Sequence, residues 1–247
     1  MVFFGLGRGA WYDFGYPGLI AWYLCVGNKM IDKQTDVQHK SRTEPKETRR
    51  LQLIEATMRS IATNSLSGTT VSTVSSEAGL SRGIISLHFQ GKEKLLLETL
   101  AHVVDEYKTL WEDALQRAGH SSAERLASLV GVDFHRSVCD RNKLAVWFAF
   151  WSESRSRPTY RKLCAERDRE YDAKMLHLCK EITSEGGYTG IDPEMAARGL
   201  AALTEGLWLD MLVNPRSMSR RKAQKTSMAY LSHLFPRHFS NNDEGVR

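Results

Sequence analysis

Ser81, Arg82, Ser86, His88 and Lys92 all lie within one short stretch, AGLSRGIISLHFQGKEKL at positions 78–95. An arginine presents a planar fork that matches the two acceptors on the major-groove edge of guanine. Serine hydroxyls reach phosphate or base edges, and histidine and lysine suit the phosphate backbone. Just upstream, Thr70, Ser72 and Thr73 add more short hydroxyls. A second chemical cluster is AVWFAFW at 145–151, where Trp147 and Trp151 stand one helical turn apart with Phe148 and Phe150 beside them. Aromatic faces attract a quaternary ammonium ion by about 2 kcal/mol per desolvated contact. Three such contacts and a carboxylate approach the ~8 kcal/mol of a micromolar ligand. Glu205 is the candidate carboxylate, inside the mainly apolar run 199–213 and one turn before Trp208. Two other readings stand beside these: the tryptophans build a core, and Glu205 faces solvent or a partner chain.

Side chains can read DNA only if rigid elements aim them, and the surrounding pattern predicts such elements. From Thr48 the apolar residues Leu51, Ile54, Met58 and Ile61 recur at helical steps, and Asn64–Thr69 breaks the pattern. Thr70 is placed to cap a two-turn helix carrying Val71, Val74 and Ala78, which Gly79 ends. Ser81 is placed to cap a second short helix through Ile84, Ile85, His88 and Phe89, and Gly91 resets the chain for a helix from about Lys92 to Arg117. Two short helices around a glycine turn are a helix-turn-helix, in which the second helix enters the major groove. Val74 and Ile85 supply its small core.

Further on, Ser121 and Glu124 form a capping box, Pro158 suits a first helical turn, and Asp192-Pro193-Glu194 reads as cap, first-turn proline and acid. Gly186-Gly187 and Asn214-Pro215 mark breaks. No alternating run demands a sheet. The expected architecture is all-α, with about nine helices, three short ones first and six mostly longer ones after. Residues 1–47 are expected to be an arm, 48–93 a three-helix DNA-binding domain, 94–236 a helical ligand-binding and dimerisation domain, and 237–247 a flexible tail.

The chain of 247 residues carries a formal charge of +5, a mild bias toward a polyanionic partner. Cys25, Cys139, Cys164 and Cys179 show no CxxC and no zinc or disulfide spacing, so a reducing cytoplasm is expected and no metal or cofactor is implied. Residues 1–29 are rich in aromatics and nearly uncharged, yet too short an apolar run to span a bilayer, so no membrane partner is expected. Met30 opens a polar stretch and is the expected natural start. The glycine cluster GLGRG at 5–9 lacks a preceding strand and a following helix pattern, which removes a nucleotide-binding reading. No HExxH, GxSxG or P-loop pattern is present, which argues against an enzyme.

The segment TTVSTVSSEAGLSRGIISLHFQGKEKLL resembles the DNA-binding segment of the TetR family of bacterial repressors, through Thr70, Ala78, Gly79, Ser81, Gly83, Ile85, Phe89, Lys92, Glu93 and Leu95. AVWFAFW and AALTEGLWL (201–209) are similar to stretches of the choline-responsive BetI-type branch, and Gly83-Ile84-Ile85-Ser86 also fits it. Many members carry tyrosine where this chain has Ser86 and His88, so a tyrosine contact to phosphate passes to His88 or is lost. The resemblance implies a DNA-contacting set of Thr70, Ser72, Thr73, Ser81, Arg82, Gly83, Ser86, Leu87, His88 and Lys92. It implies a ligand set of Trp147, Phe150, Trp151, Glu205 and Trp208. The expected partners are double-stranded operator DNA, a second copy of the chain through the last two helices, and a small effector, choline or a related quaternary ammonium compound. A regulator of the same type with a different apolar or cationic ligand is the alternative.

Overall fold

The computed structural model describes residues 45–239, side chains 166–168 excepted. The expectations for the arm up to residue 44, the start at Met30, Cys25, GLGRG and residues 240–247 lie outside the described residues. Among those described, helices α1 to α9 follow one another and there is no strand.

Helix α1 spans Lys46–Gly68, longer than the short helix expected, and Pro45 takes its N-cap. Residues 46–47, assigned to the arm from sequence, are therefore its first turn. Leu53, Ile54, Met58 and Ile61 are buried, whereas Leu51 is 43% exposed at the edge of the stripe. The expected break falls at Ser65, whose φ of 62° and ψ of 175° kink the helix. Thr70 caps α2, Val71–Ala78, and Gly79 ends it at φ 66°, a conformation open to glycine without a Cβ penalty. Helix α3 is Gly83–Phe89 and α4 is Lys92–Arg117. Ser81 does not cap α3 with its side chain; Arg82 occupies the N-cap, and the Ser81 carbonyl accepts from Ile84 N at 3.1 Å. Val74, Ile85 and Phe89 are buried together in the small core of this unit.

Helix α4 buries Leu96, Leu100, Val103, Tyr107 and Trp111 along one face and runs from the helix-turn-helix into the C-terminal helices. These are α5 (Ser122–Asp133), α6 (Arg141–Glu153), α7 (Pro158–Glu185), α8 (Pro193–Val213) and α9 (Arg220–Leu234). The capping box of Ser121 and Glu124, Pro158 in the first turn of α7, and Asp192 capping α8 all form as expected. Helix α1 packs on α2, α4 and α6, so it meets both the helix-turn-helix and a C-terminal helix. The tail expected from residue 237 begins packed: Arg237 N donates to Tyr188 Oη at 2.8 Å, and Phe239 is buried. Among the described residues, no helix is long and apolar enough to cross a membrane.

Candidate DNA-reading and ligand-binding sites

The helix-turn-helix exposes Ser72, Ser81, Arg82, Gly83, Ser86 and Leu87, with Leu87 74% exposed. An apolar side chain so open on a two-turn helix is costly in water and suits contact with a thymine methyl group. Arg82 Nη2 donates to Ser72 Oγ at 2.9 Å, so α2 holds the guanidinium at the exposed start of α3. Thr70 caps α2 as expected, together with Thr73. Each caps the other's backbone N–H, at 3.1 and 2.8 Å, and the Thr73 hydroxyl also meets Ser60 at 2.9 Å. Their hydroxyls hold the start of α2, where Thr70 and Ser72 are exposed and Thr73 is half-buried. His88 is half-buried and its Nδ1 makes no hydrogen bond. Lys92 is half-buried in the first turn of α4.

Arg50 of α1 fastens the recognition helix from behind. Its Nη1 donates to the His88 carbonyl at 2.8 Å, its guanidinium lies 4.7 Å above the Phe89 ring, and it pairs with Glu98 of α4. A cation at the C-terminal end of a short helix satisfies an orphan carbonyl and complements the helix dipole. A second tie joins α4 to the corner before α7, where Arg157 meets Glu93 at 3.2 Å and lies 5.2 Å over the Tyr160 ring. Burial, then the neighbouring Glu93, pushes the Tyr160 phenol up to about 12. Sequence reading missed both arginines, because nothing local distinguishes them from other surface cations.

In the C-terminal domain the five expected ligand residues do not form one box. Trp147 and Phe150 are fully buried; Phe150 stacks edge-on to Tyr160 at 4.7 Å and Trp147 lies 6.1 Å from Trp151. Trp151 is half-buried and edge-on to Phe148 at 5.1 Å. Glu205, left open in the sequence between a ligand carboxylate and a residue facing solvent or a partner chain, is exposed in a groove of about 290 Å³ between α7 and α8, whose lining contains none of the tryptophans. Glu205 and Trp208 stand one helical turn apart on α8, yet the first is exposed and the second buried.

Trp208 instead reaches a polar knot. Its Nε1 donates to the Asp133 carbonyl at 2.8 Å, and Cys139 Sγ donates to the same oxygen at 3.2 Å. Asp133 is 1% exposed, and its Oδ1 accepts from Tyr107 Oη at 2.6 Å and from Tyr171 Oη at 2.7 Å. Burial and then the Asp133 charge hold the Tyr171 phenol well above its usual range, so it stays a donor. The same two causes push the Cys139 thiol up to about 12. Tyr107 lies 5.4 Å from Tyr171 and edge-on to Trp208 at 5.9 Å, and Trp111 is edge-on to Tyr171 at 5.9 Å. The signal in the sequence was a lone acid in the apolar run LVGVDF at 129–134.

A short exposed helix behind a tight glycine turn, fastened to a long helix that enters an aromatic interior, is the arrangement of a helix-turn-helix DNA-binding regulator. Residues 53–99 match the family described as bacterial regulatory proteins, tetR family, and residues 122–236 match the BetI-type transcriptional repressor C-terminal family. The chain is 34% identical over 194 residues to the HTH-type transcriptional regulator BetI of Burkholderia mallei, covering 76% of this chain and 94% of that one. The regulator of the same name from Burkholderia thailandensis is 36% identical over 192 residues, with the same coverage. A transcriptional regulator of Pseudomonas aeruginosa PAO1 superposes with a TM-score of 0.68 at 31% identity, over 81% of this chain and 97% of that one. A regulator from Saccharomonospora viridis, solved in complex with choline, shares the fold with a TM-score of 0.67 at 24% identity, over 76% of this chain and 97% of its own. The chain belongs to the TetR family of transcriptional regulators. Within it, the chain is of the BetI type, a DNA-binding transcriptional repressor and not an enzyme.

Proposed function

We propose that this regulator binds its operator as a homodimer and releases it when a quaternary ammonium compound of the choline class enters the C-terminal domain. The observation that carries the reading is the coupling of two regions by one rigid helix. At one end of α4, Glu98 holds the helix-turn-helix through Arg50, and Glu93 ties α4 to the corner before α7 through Arg157; further along, Tyr107 and Trp111 enter the aromatic interior. Nine residues of helix separate Glu98 from Tyr107, about 13 Å at 1.5 Å per residue. A ligand that favours a different seat for α4 shifts both recognition helices without touching DNA. The choline class is supported by the BetI-type relatives, by the choline complex of the S. viridis regulator, and by the density of buried rings.

Dimerisation is supported by α8, whose exposed residues Met195, Ala202, Gly206, Leu209 and Val213 recur at three-, four- and seven-residue steps along one side. Such a stripe of apolar and small residues lets a second helix approach closely, and a dimer sets two recognition helices on successive major grooves about 34 Å apart. The test is anisotropy of a labelled fragment from upstream of the gene, titrated with protein at fixed salt and then with choline. The expected result is salt-sensitive specific binding that millimolar choline reverses. Sedimentation equilibrium is expected to give a dimer at micromolar concentration; a monomer there, or specific binding that choline and tetramethylammonium leave intact, refutes the corresponding part.

A further inference from the structure

We infer that Leu87 is a specificity-determining residue that reads the C5-methyl group of one pyrimidine in each operator half-site, and reads it on 5-methylcytosine as well as on thymine. Gly83, one turn earlier on the same face, is the notch that lets DNA come close enough. This assignment rests on the operator binding proposed above, with α3 in the major groove, and names what part of that helix recognises.

Arg82, Gly83, Ser86 and Leu87 are exposed, Ile84 and His88 are half-buried, and Ile85 and Phe89 are buried. The helical period divides the exposed face lengthwise. Arg82 and Ser86, four residues apart, form a polar edge with donors and acceptors for bases and phosphates. Leu87 and the half-buried Ile84, three residues apart, form an apolar edge. Leu87 neither donates nor accepts a hydrogen bond, and the apolar group that a base pair shows in the major groove is the thymine C5-methyl. Among the described residues, Leu87 is the most exposed of the large apolar side chains. Met195, Leu209 and Val213 lie along the side of α8 ascribed above to a second copy, and Leu51 borders the buried stripe of α1. Leu87 alone of these stands beside the polar groups of the reading face.

The fold itself does not require glycine at 83. Its φ is not in the left-handed region, and a Cβ there would meet no other atom within 4 Å. Glycine also weakens a helix relative to alanine. What the missing Cβ does permit is a close approach from outside the chain, and on this face the approaching body is DNA. With nothing projecting from the turn before it, Leu87 reaches further toward the base edges. A leucine in that place senses the methyl and not the hydrogen-bonding pattern. 5-Methylcytosine carries the same methyl on the same ring carbon, so the contact has the same value on either base. Burying one methyl against an apolar side chain is worth about fourfold in affinity. An operator with cytosine at that position therefore binds more tightly once the cytosine is methylated.

The test uses the full-length protein and the operators it selects from a pool of random duplexes. The selected half-sites are expected to share a thymine at one fixed position. Uracil there, which removes only the methyl, is expected to weaken wild-type binding about fourfold per half-site, and 5-methylcytosine in place of cytosine to strengthen it by the same factor. Both differences are expected to vanish in Leu87→Ala, with discrimination at the base pair read by Arg82 retained, and to survive in part in Leu87→Met. Leu87 is 74% exposed, so its replacement leaves the core intact, which circular dichroism checks. Gly83→Ala is expected to keep or raise the urea midpoint and to weaken binding to every selected operator about tenfold. Methyl differences that persist in Leu87→Ala, or a selected pool with no fixed thymine, overturn the reading by Leu87. Gly83→Ala that binds as tightly as the wild type overturns the notch and leaves the methyl contact standing. A wild type that selects no sequence from the pool overturns operator binding and this assignment together.

Discussion

Replacing Arg50 by methionine tests how the recognition helix is held, because Arg50 reaches from α1 to the C-terminal end of α3. Methionine keeps an apolar stem and removes the guanidinium. The bond from Nη1 to the His88 carbonyl is charge-assisted and 24% of the side chain is exposed, so its loss costs about 1.5–3 kcal/mol. The contact over the Phe89 ring adds about 0.5–1 kcal/mol. Glu98 is not stranded, since Lys94 stays 3.6 Å from its other oxygen. These contributions overlap, and a net loss of about 2 kcal/mol corresponds to roughly thirtyfold. Amide hydrogen exchange at Ile85–Phe89 is expected to accelerate by about that factor relative to α5. DNA affinity is expected to fall by at most the same factor, because only the fraction of protein with α3 seated can bind. The slope of log affinity against log salt should not change, since each lost phosphate contact would flatten it by about 0.9. Unchanged exchange in α3 would refute the fastening role, and a flatter slope would show that Arg50 grips phosphate instead.

Other outcomes follow from the same contacts. Arg82→Ala should cost ~1–3 kcal/mol at one base pair of the operator, whereas Lys92→Ala should weaken specific and random DNA alike and flatten the salt slope by about one phosphate; binding curves on operator variants separate the two. Ser72→Ala frees the Arg82 fork and should reduce discrimination at that same base pair less than Arg82→Ala does, measured the same way. Gly79→Ala places a Cβ at φ 66° and should lower stability by about 1 kcal/mol, read from the urea midpoint. Burial raises the Glu106 pKa, but the hydrogen bonds from Lys143 and Ser137 outweigh it and leave the carboxyl below its usual 4.5. A depressed folded value means that the stabilisation is complete above 4.5 and disappears as pH falls through the folded value. Lys143→Met should therefore lower stability at pH 7 and flatten the decline below pH 4.5, seen in denaturant titrations across that range.

Helix ends were legible in the sequence wherever the signal is local. Thr70, Gly79, Gly91, Ser121 and the Asp192-Pro193 pair act within a turn of their own position, and α2, α4, α5 and α8 begin or end there. The helix-turn-helix was legible for the same reason, since its whole geometry is a run of such signals within 25 residues, and its order in this chain is that of its family. The first helix was read as short because Pro45 looked like part of an arm, yet a proline at the N-cap starts a helix as readily as it ends one.

The ligand domain was less legible, and Glu205 and Asp133 show why. Helical spacing says which residues share a face; it does not say which face is covered or by what. Glu205 and Trp208 are neighbours on one helix, and the packing of α8 against α7 and α9 leaves the first in solvent and buries the second. Asp133 meets Tyr107, Tyr171 and Trp208 across 26, 38 and 75 residues of chain, distances over which no local pattern carries information. The amino-acid sequence by itself determined the helices, the reading head and the family. Only the tertiary structure decided which rings surround a charge, because a buried carboxylate finds its donors wherever four helices happen to converge.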